Sequence, residues 1–140
     1  MALDLSSLKR AIASLDNAVR IATSGEKMAA LGEEGQQVVR AGVIQNFELT
    51  FELCWKFIQR WIILNKTPED AEPFTRKDLF RMAARYGLVE DPLRWFEYGD
   101  AQNLTSHAYD EDKARQVFET AVRFLDDARK LLNRLEKSND

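Results

Sequence analysis

Apolar residues recur along this chain at spacings of three and four, the period of one helix face. Leu5, Leu8, Ile12, Leu15 and Val19 form the first such stripe and predict a helix over about Asp4 to Thr23. Asp4 or Ser6 is placed to cap its start, and Ser24-Gly25 reads as its stop. A mixed segment with room for a short helical turn leads on to Gly35. The second stripe is the longest. Ile44, Phe47, Phe51, Cys54, Ile58 and Trp61 alternate three-four along a helix predicted over about Gln36 to Asn65, the pattern of a bundle seam. Leu49, Leu53, Phe57 and Ile63 lie outside that seam. A helix apolar beyond one stripe has more than one face to bury. The expectation is that one face meets the bundle and another meets a second copy of the chain.

The two prolines of Asn65 to Phe74 mark a loop. Thr75-Arg76-Lys77-Asp78 has the form of a capping box, with Asp in place of Glu, and opens a short helix ending at Gly87. Asp91-Pro92 combines an N-cap aspartate with proline at the first helical position, and the helix it starts is predicted to about His107. Asp110-Glu111-Asp112 puts negative charge where the macrodipole of a last helix favours it. Ala114, Val117, Phe118, Ala121, Phe124, Leu125, Ala128, Leu131, Leu132 and Leu135 carry that helix almost to the C-terminus. Nothing reads as a strand. The prediction is an all-α, antiparallel up-down four-helix bundle with an additional short helix, in one domain over residues 1–140.

Composition narrows the function classes. A chain of 140 residues with 45% hydrophobic and 31% charged residues has the makings of a real core. Twenty Lys+Arg against 23 Asp+Glu argue against a broad polyanion-binding surface but leave room for a local basic patch. No stretch approaches a membrane span, and MALDLSSLKR lacks the apolar core of a signal peptide. The lone Cys54 permits no internal disulfide and points to a reducing compartment, so the expected location is the cytoplasm. With one histidine and one cysteine, a transition-metal site would need carboxylates or a symmetry mate, and no metal or cofactor is expected. There is no Gly-rich phosphate loop, no G-x-S-x-G elbow and no H-E-x-x-H.

Two polar constellations remain. Gln45, Glu48, Glu52, Lys56 and Gln59 interrupt the long helix within an arc of roughly 80°. Glu52 and Lys56 form an i,i+4 pair in the favourable order. This stripe is either a solvated face or the lining of a polar cleft, or it meets a basic partner. The second constellation surrounds His107, the only histidine. Asp100, Asn103 and His107 share a face, while Tyr98, Gln102 and Tyr109 fall on another if the helix stays regular. His107 is either a capping or packing residue or a proton carrier oriented by Asp100 or Asn103. Trp55, Trp61 and Trp95 read as core or interface anchors, like Phe47 and Phe51, and Cys54 as a small buried hydrophobe.

Gln45-x-Phe47-Glu48-x-Thr50-x-Glu52-x-x-Trp55-Lys56, followed by Asn103-x-Thr105-x-His107-x-Tyr109, resembles the nucleotidyltransferase substrate-binding protein family of the HEPN superfamily. The resemblance covers nearly the whole chain. It implies a homodimeric bundle and a separately encoded minimal nucleotidyltransferase as partner, in a module of toxin–antitoxin type, with nucleotide or RNA as further ligand. Two roles are implied for this subunit. One is to bind the transferase and present a substrate, or its own Tyr109 as AMP acceptor. The other is a metal-independent ribonuclease using His107, with Asn103 and Gln102 beside it. The superfamily signature places an arginine five residues before the histidine, where this chain has Gln102. A neutral amide cannot offer a phosphate the charged fork of a guanidinium. Arg94 or an arginine from the dimer mate are the candidate substitutes.

Overall fold

The computed structural model describes residues 2–66, 75–107 and 109–139, so most of the predicted proline loop lies outside the described residues. The chain runs through α1 (Ser6–Ala22), α2 (Gly25–Ala29), α3 (Glu33–Asn65), α4 (Arg76–Arg85), α5 (Pro92–Leu104), a 3-10 turn (Thr105–His107) and α6 (Glu111–Lys137). No strand occurs among the described residues. The caps expected for the later helices form, whereas the N-cap position of α1 is Leu5, with no side-chain cap. Asp4 Oδ1 accepts from Ser6 N at 3.0 Å. Thr75, Asp91 and Asp110 each cap a helix with their side chains. α1 ends at Ala22, just before Ser24-Gly25 as expected, and Ser24 also caps α2, which occupies the segment given room for a helical turn.

Side-chain contacts give the helix directions. Thr50 Oγ1 donates to the Ala11 carbonyl at 3.3 Å, and Ser14 Oγ donates to Asn46 at 2.7 Å, so α1 and α3 run antiparallel. Gln102 faces Glu48, and Arg94 and Tyr98 face Asp127, so α5 is antiparallel to both α3 and α6. Asn139 hydrogen-bonds both the N–H (2.7 Å) and the carbonyl (2.8 Å) of Leu3, which joins the start of the chain to its end. The four long helices therefore alternate up and down, as predicted, with α3 and α6 parallel.

The centre is aromatic. Phe47 and Phe51 of α3 meet Phe80 of α4, Trp95 and Tyr98 of α5 and Phe124 of α6. Phe124 is edge-on to Phe47 at 5.2 Å and to Tyr98 at 5.1 Å, the geometry aromatic quadrupoles favour. All six seam residues of α3 are buried, Phe47, Phe51 and Trp61 among them.

The second apolar face of α3 is only partly what the sequence suggested. Phe57, expected on a face for another subunit, is 2% exposed inside the protomer. The reason is that α3 contacts α1, α4, α5 and α6, which together cover more of its circumference than a single seam would. Leu49 stays 57% exposed, joined on the surface by Val38, Ile63 and Leu64. Trp55, expected as a core or interface anchor, is half-buried at the edge of the bundle.

Candidate functional site

The site grows out of the end of α5. Thr105 Oγ1 donates to the Gln102 carbonyl at 2.7 Å, and the helix tightens into the 3-10 turn that ends at His107. Tightening from 3.6 to 3 residues per turn takes His107 and Tyr109 off the faces assigned for a regular helix, whereas Tyr98 and Gln102, one turn apart within α5, keep theirs. Tyr98 stays in the core, Gln102 points towards α3, and Tyr109 lies past the turn, 85% exposed. His107 is exposed, with its ring 6.3 Å from that of Tyr109. Among the described residues neither Asp100 nor Asn103 hydrogen-bonds the imidazole, so the predicted orienting contact is not made. The two residues instead line a groove of about 430 Å³ with Arg76, Lys77 and Phe96.

The polar stripe of α3 divides in two. Gln45 and Glu48 line a larger groove of about 870 Å³ with Tyr109, Arg40, Ile44 and Phe118. One turn on, Glu52 turns to its neighbours. Its carboxylate accepts from Trp55 Nε1 at 2.9 Å and from Gln102 Nε2 at 3.5 Å. The Glu52–Lys56 ion pair expected from the spacing does not form among the described residues. The Trp55 indole takes both partners, with its N–H on the carboxylate and the Lys56 ammonium 5.7 Å from its ring centroid.

Gln102 is the hinge of this arrangement. Its amide oxygen accepts from Arg76 Nη1 at 3.0 Å, and its amide nitrogen faces the Glu48 carbonyl and the Glu52 carboxylate. Arg76 went unnoticed in the sequence because it sits in the capping motif of α4, and no periodicity links that motif to α5. Arg94, offered as a substitute for the missing arginine, is engaged elsewhere. It forms a two-point pair with Asp127, at 3.0 and 2.8 Å, and lies 3.7 Å from Glu90. Asp127 also accepts from Tyr98 Oη. This buried knot was likewise not foreseen, although an aspartate between Phe124 and Ala128 on an apolar stripe was its visible signal.

The remaining chemistry is spare. Burial pushes the Cys54 thiol far above its usual range, so it stays a neutral, inert thiol. Among the described residues no group of three or more His, Cys, Asp or Glu side chains converges to hold a metal ion. Among the described residues no helix is long and apolar enough to cross a membrane.

Comparison with known proteins fits this geometry. The chain is 36% identical over 105 residues to a Haemophilus influenzae protein named "Probable ribonuclease HepT", covering 74% of this chain and 72% of that one. The fold matches a Haemophilus influenzae structure, reported as the fold of a substrate binding domain of a nucleotidyltransferase. The TM-score is 0.88 at 31% identity, with 95% and 99% of the two chains covered. A crystal structure of a Thermus thermophilus protein matches with a TM-score of 0.71 at 28% identity, over 91% and 98% of the chains. The family model described as "Nucleotidyltransferase substrate binding protein like" matches residues 3–137. Taken with the all-helical bundle and its polar end, this match shows that the chain belongs to the nucleotidyltransferase substrate-binding family.

Proposed function

We propose that this protein is the helical subunit of a two-component system: it homodimerises, binds a separately encoded minimal nucleotidyltransferase, and presents a substrate, or its own Tyr109, for nucleotidyl transfer. The observation that carries the reading is Tyr109. A tyrosine left 85% exposed at the lip of an 870 Å³ groove has no packing role to explain it. Its hydroxyl is open to an approaching active site, and the groove walls supply both apolar contact (Ile44, Phe118) and charge (Arg40, Glu48). The transferred group would come from the partner: the Tyr109 oxygen bonds to the α-phosphorus of ATP, pyrophosphate leaves, and the phenol proton passes to a base. The apolar residues left exposed on α3, Leu49 and Val38, support a second copy or the transferase as cover. A module of toxin–antitoxin type in the cytoplasm is the setting this reading implies.

The test is to incubate the chain with the nucleotidyltransferase encoded beside it and ATP, then measure intact mass. The expected result is a gain of one AMP, localised to Tyr109 and absent from Tyr109→Phe. An unmodified chain that forms no complex with the transferase would overturn the reading.

A second reading is a metal-independent ribonuclease, supported by the exposed His107 and by the name of the Haemophilus relative. The 2′-oxygen of RNA would bond to phosphorus as the P–O5′ bond breaks, leaving a 2′,3′-cyclic phosphate and a 5′-hydroxyl. The 2′-hydroxyl proton goes to a base and another reaches the leaving oxygen, both within the scope of an imidazole. Loss of metal-free cleavage in His107→Ala would be the sign of it.

A further inference from the structure

Arg76 has the features of a prepared anion ligand. Its guanidinium carbon lies 4.4 Å from the centroid of the Trp55 ring, and its Nη1 donates to Gln102 Oε1 at 3.0 Å. Ring and amide fix the fork from two sides. Among the described residues Arg76 makes no ion pair, like Arg10, Arg40, Arg60 and Arg85 and unlike Arg81, Arg94 or Arg134, so what sets it apart is its fixation by ring and amide. Arg76 is exposed, so its remaining N–H donors face solvent. A guanidinium held in place but not neutralised offers two-point binding to phosphate without first breaking a salt bridge.

The chemistry of Gln102 explains why the cation stands at 76. The side chain at 102 must meet a guanidinium on one side and the Glu52 carboxylate on the other. An amide does both, accepting with its oxygen and donating with its nitrogen. A second guanidinium at 102 would face the first. The surroundings also favour a nucleic acid strand. Lys77 and Arg81 lie 5.5 and 5.1 Å from the centroid of the Phe96 ring. Arg76, Lys77, Phe96 and Asn103 line the same groove of about 430 Å³, with Asp100 as its one carboxylate against two cations. Cations interleaved with half-buried rings suit single strands, whose phosphates and bases both need partners. From Gln102, on which the Arg76 guanidinium rests, to His107 the chain rises by roughly 9 Å along the helix axis.

We propose that Arg76 is the phosphate-binding residue of this end of the bundle, and that its ligand is a phosphodiester of single-stranded RNA lying along the α4–α5 groove towards His107. The proposal rests on the ribonuclease reading for its catalytic consequence, while the binding it predicts stands apart from cleavage.

The test uses the full-length chain and a fluorescent single-stranded RNA in two forms, ordinary and 2′-O-methylated, the second being resistant to cleavage. Binding of the methylated form is followed by anisotropy over a salt series, with ATP titrated separately, and cleavage of the ordinary form is followed without metal. Arg76→Ala is expected to weaken RNA binding and reduce the salt slope by about one. It is also expected to slow cleavage by about 100- to 1000-fold, the usual effect of losing one preorganised donor to transition-state charge. Arg76→Lys should recover part of the binding but little of the rate, because an ammonium lacks the fork. Gln102→Arg in the Arg76→Ala background should restore both, by returning a guanidinium to the same place. His107→Ala should abolish cleavage and leave the salt slope unchanged. If the wild type binds this RNA through Arg76 but does not cut it, the ribonuclease reading fails and the phosphate site stands. An Arg76→Ala salt slope equal to that of the wild type overturns the proposal even if His107-dependent cleavage is intact. RNA binding that is absent, or ATP binding alone that depends on Arg76, overturns RNA as the ligand.

Discussion

At the scale of single residues, the Asp127 knot shows how a polar group is kept inside this bundle. Asp127 is 7% exposed, yet its two oxygens accept from Arg94 and from the Tyr98 hydroxyl, so none of its acceptor capacity faces apolar core. Burial, then the hydrogen bond to Asp127, then that carboxylate's charge, push the Tyr98 phenol well above the ordinary tyrosine value. The sign of the pH effect follows. The folded state keeps the phenol proton that an unfolded chain loses near pH 10. The contribution is therefore fully present below about pH 10 and is lost as pH rises towards the raised folded value. Tyr98→Phe removes a hydrogen bond to a charged acceptor and should cost about 1.5–3 kcal/mol at neutral pH. Urea unfolding at about pH 8 and pH 11 would check it, since the gap between wild type and variant should shrink at the higher pH. A gap that widens there would show that the phenol is not held protonated. In the sequence, the only sign of Asp127 was a charge set on the apolar stripe of the last helix, beside Phe124 and Ala128. What distinguishes it is its set of partners on α5, which sequence periodicity does not reveal.

At the scale of elements, most of the helix boundaries were legible because caps are local chemistry. Thr75 accepts from Asp78 N at 3.2 Å and Asp91 from Leu93 N at 2.9 Å, each contact spanning two or three residues. The close of α4 is equally local. Gly87 takes φ of 79°, its N–H donates to the Ala84 carbonyl at 3.1 Å, and the Leu88 N–H donates to Ala83 at 2.9 Å. These are the paired bonds of a Schellman motif, completed by the burial of Leu88. Gly87→Ala should destabilise the fold by about 1–2 kcal/mol, the cost of a left-handed conformation for a residue with a Cβ. A fall of a few degrees in melting temperature would register it, and an unchanged melt would contradict it. The 3-10 turn at Thr105–His107 was not legible. Nothing in Thr-Ser-His forbids another α-helical turn, and the tightening bears directly on where His107 and Tyr109 sit. For the same reason the contact of Arg76 with Gln102, 26 residues apart on different helices, had no signature in spacing.

At the scale of the whole molecule, the up-down bundle was readable from four amphipathic patterns and short connections, because each helix has to hide its stripe against the others. Less readable was how much of α3 a single protomer covers. Phe57 went inside because four other helices surround α3. Leu49, at 57% exposure, and Val38, at 71%, did not. What is left of the second apolar face of α3 is an exposed strip, and its cover by another chain belongs to the proposal. The candidate chemistry lies at the end of the bundle where α5 turns into α6. The Tyr109 groove and the Arg76 groove share no lining residue.

The most direct measurement is light scattering across a size-exclusion peak of this chain co-expressed with the minimal nucleotidyltransferase encoded beside it. The account predicts one co-eluting assembly containing two copies of this chain together with the transferase. A compact monomer that elutes free of the transferase at high concentration would contradict it.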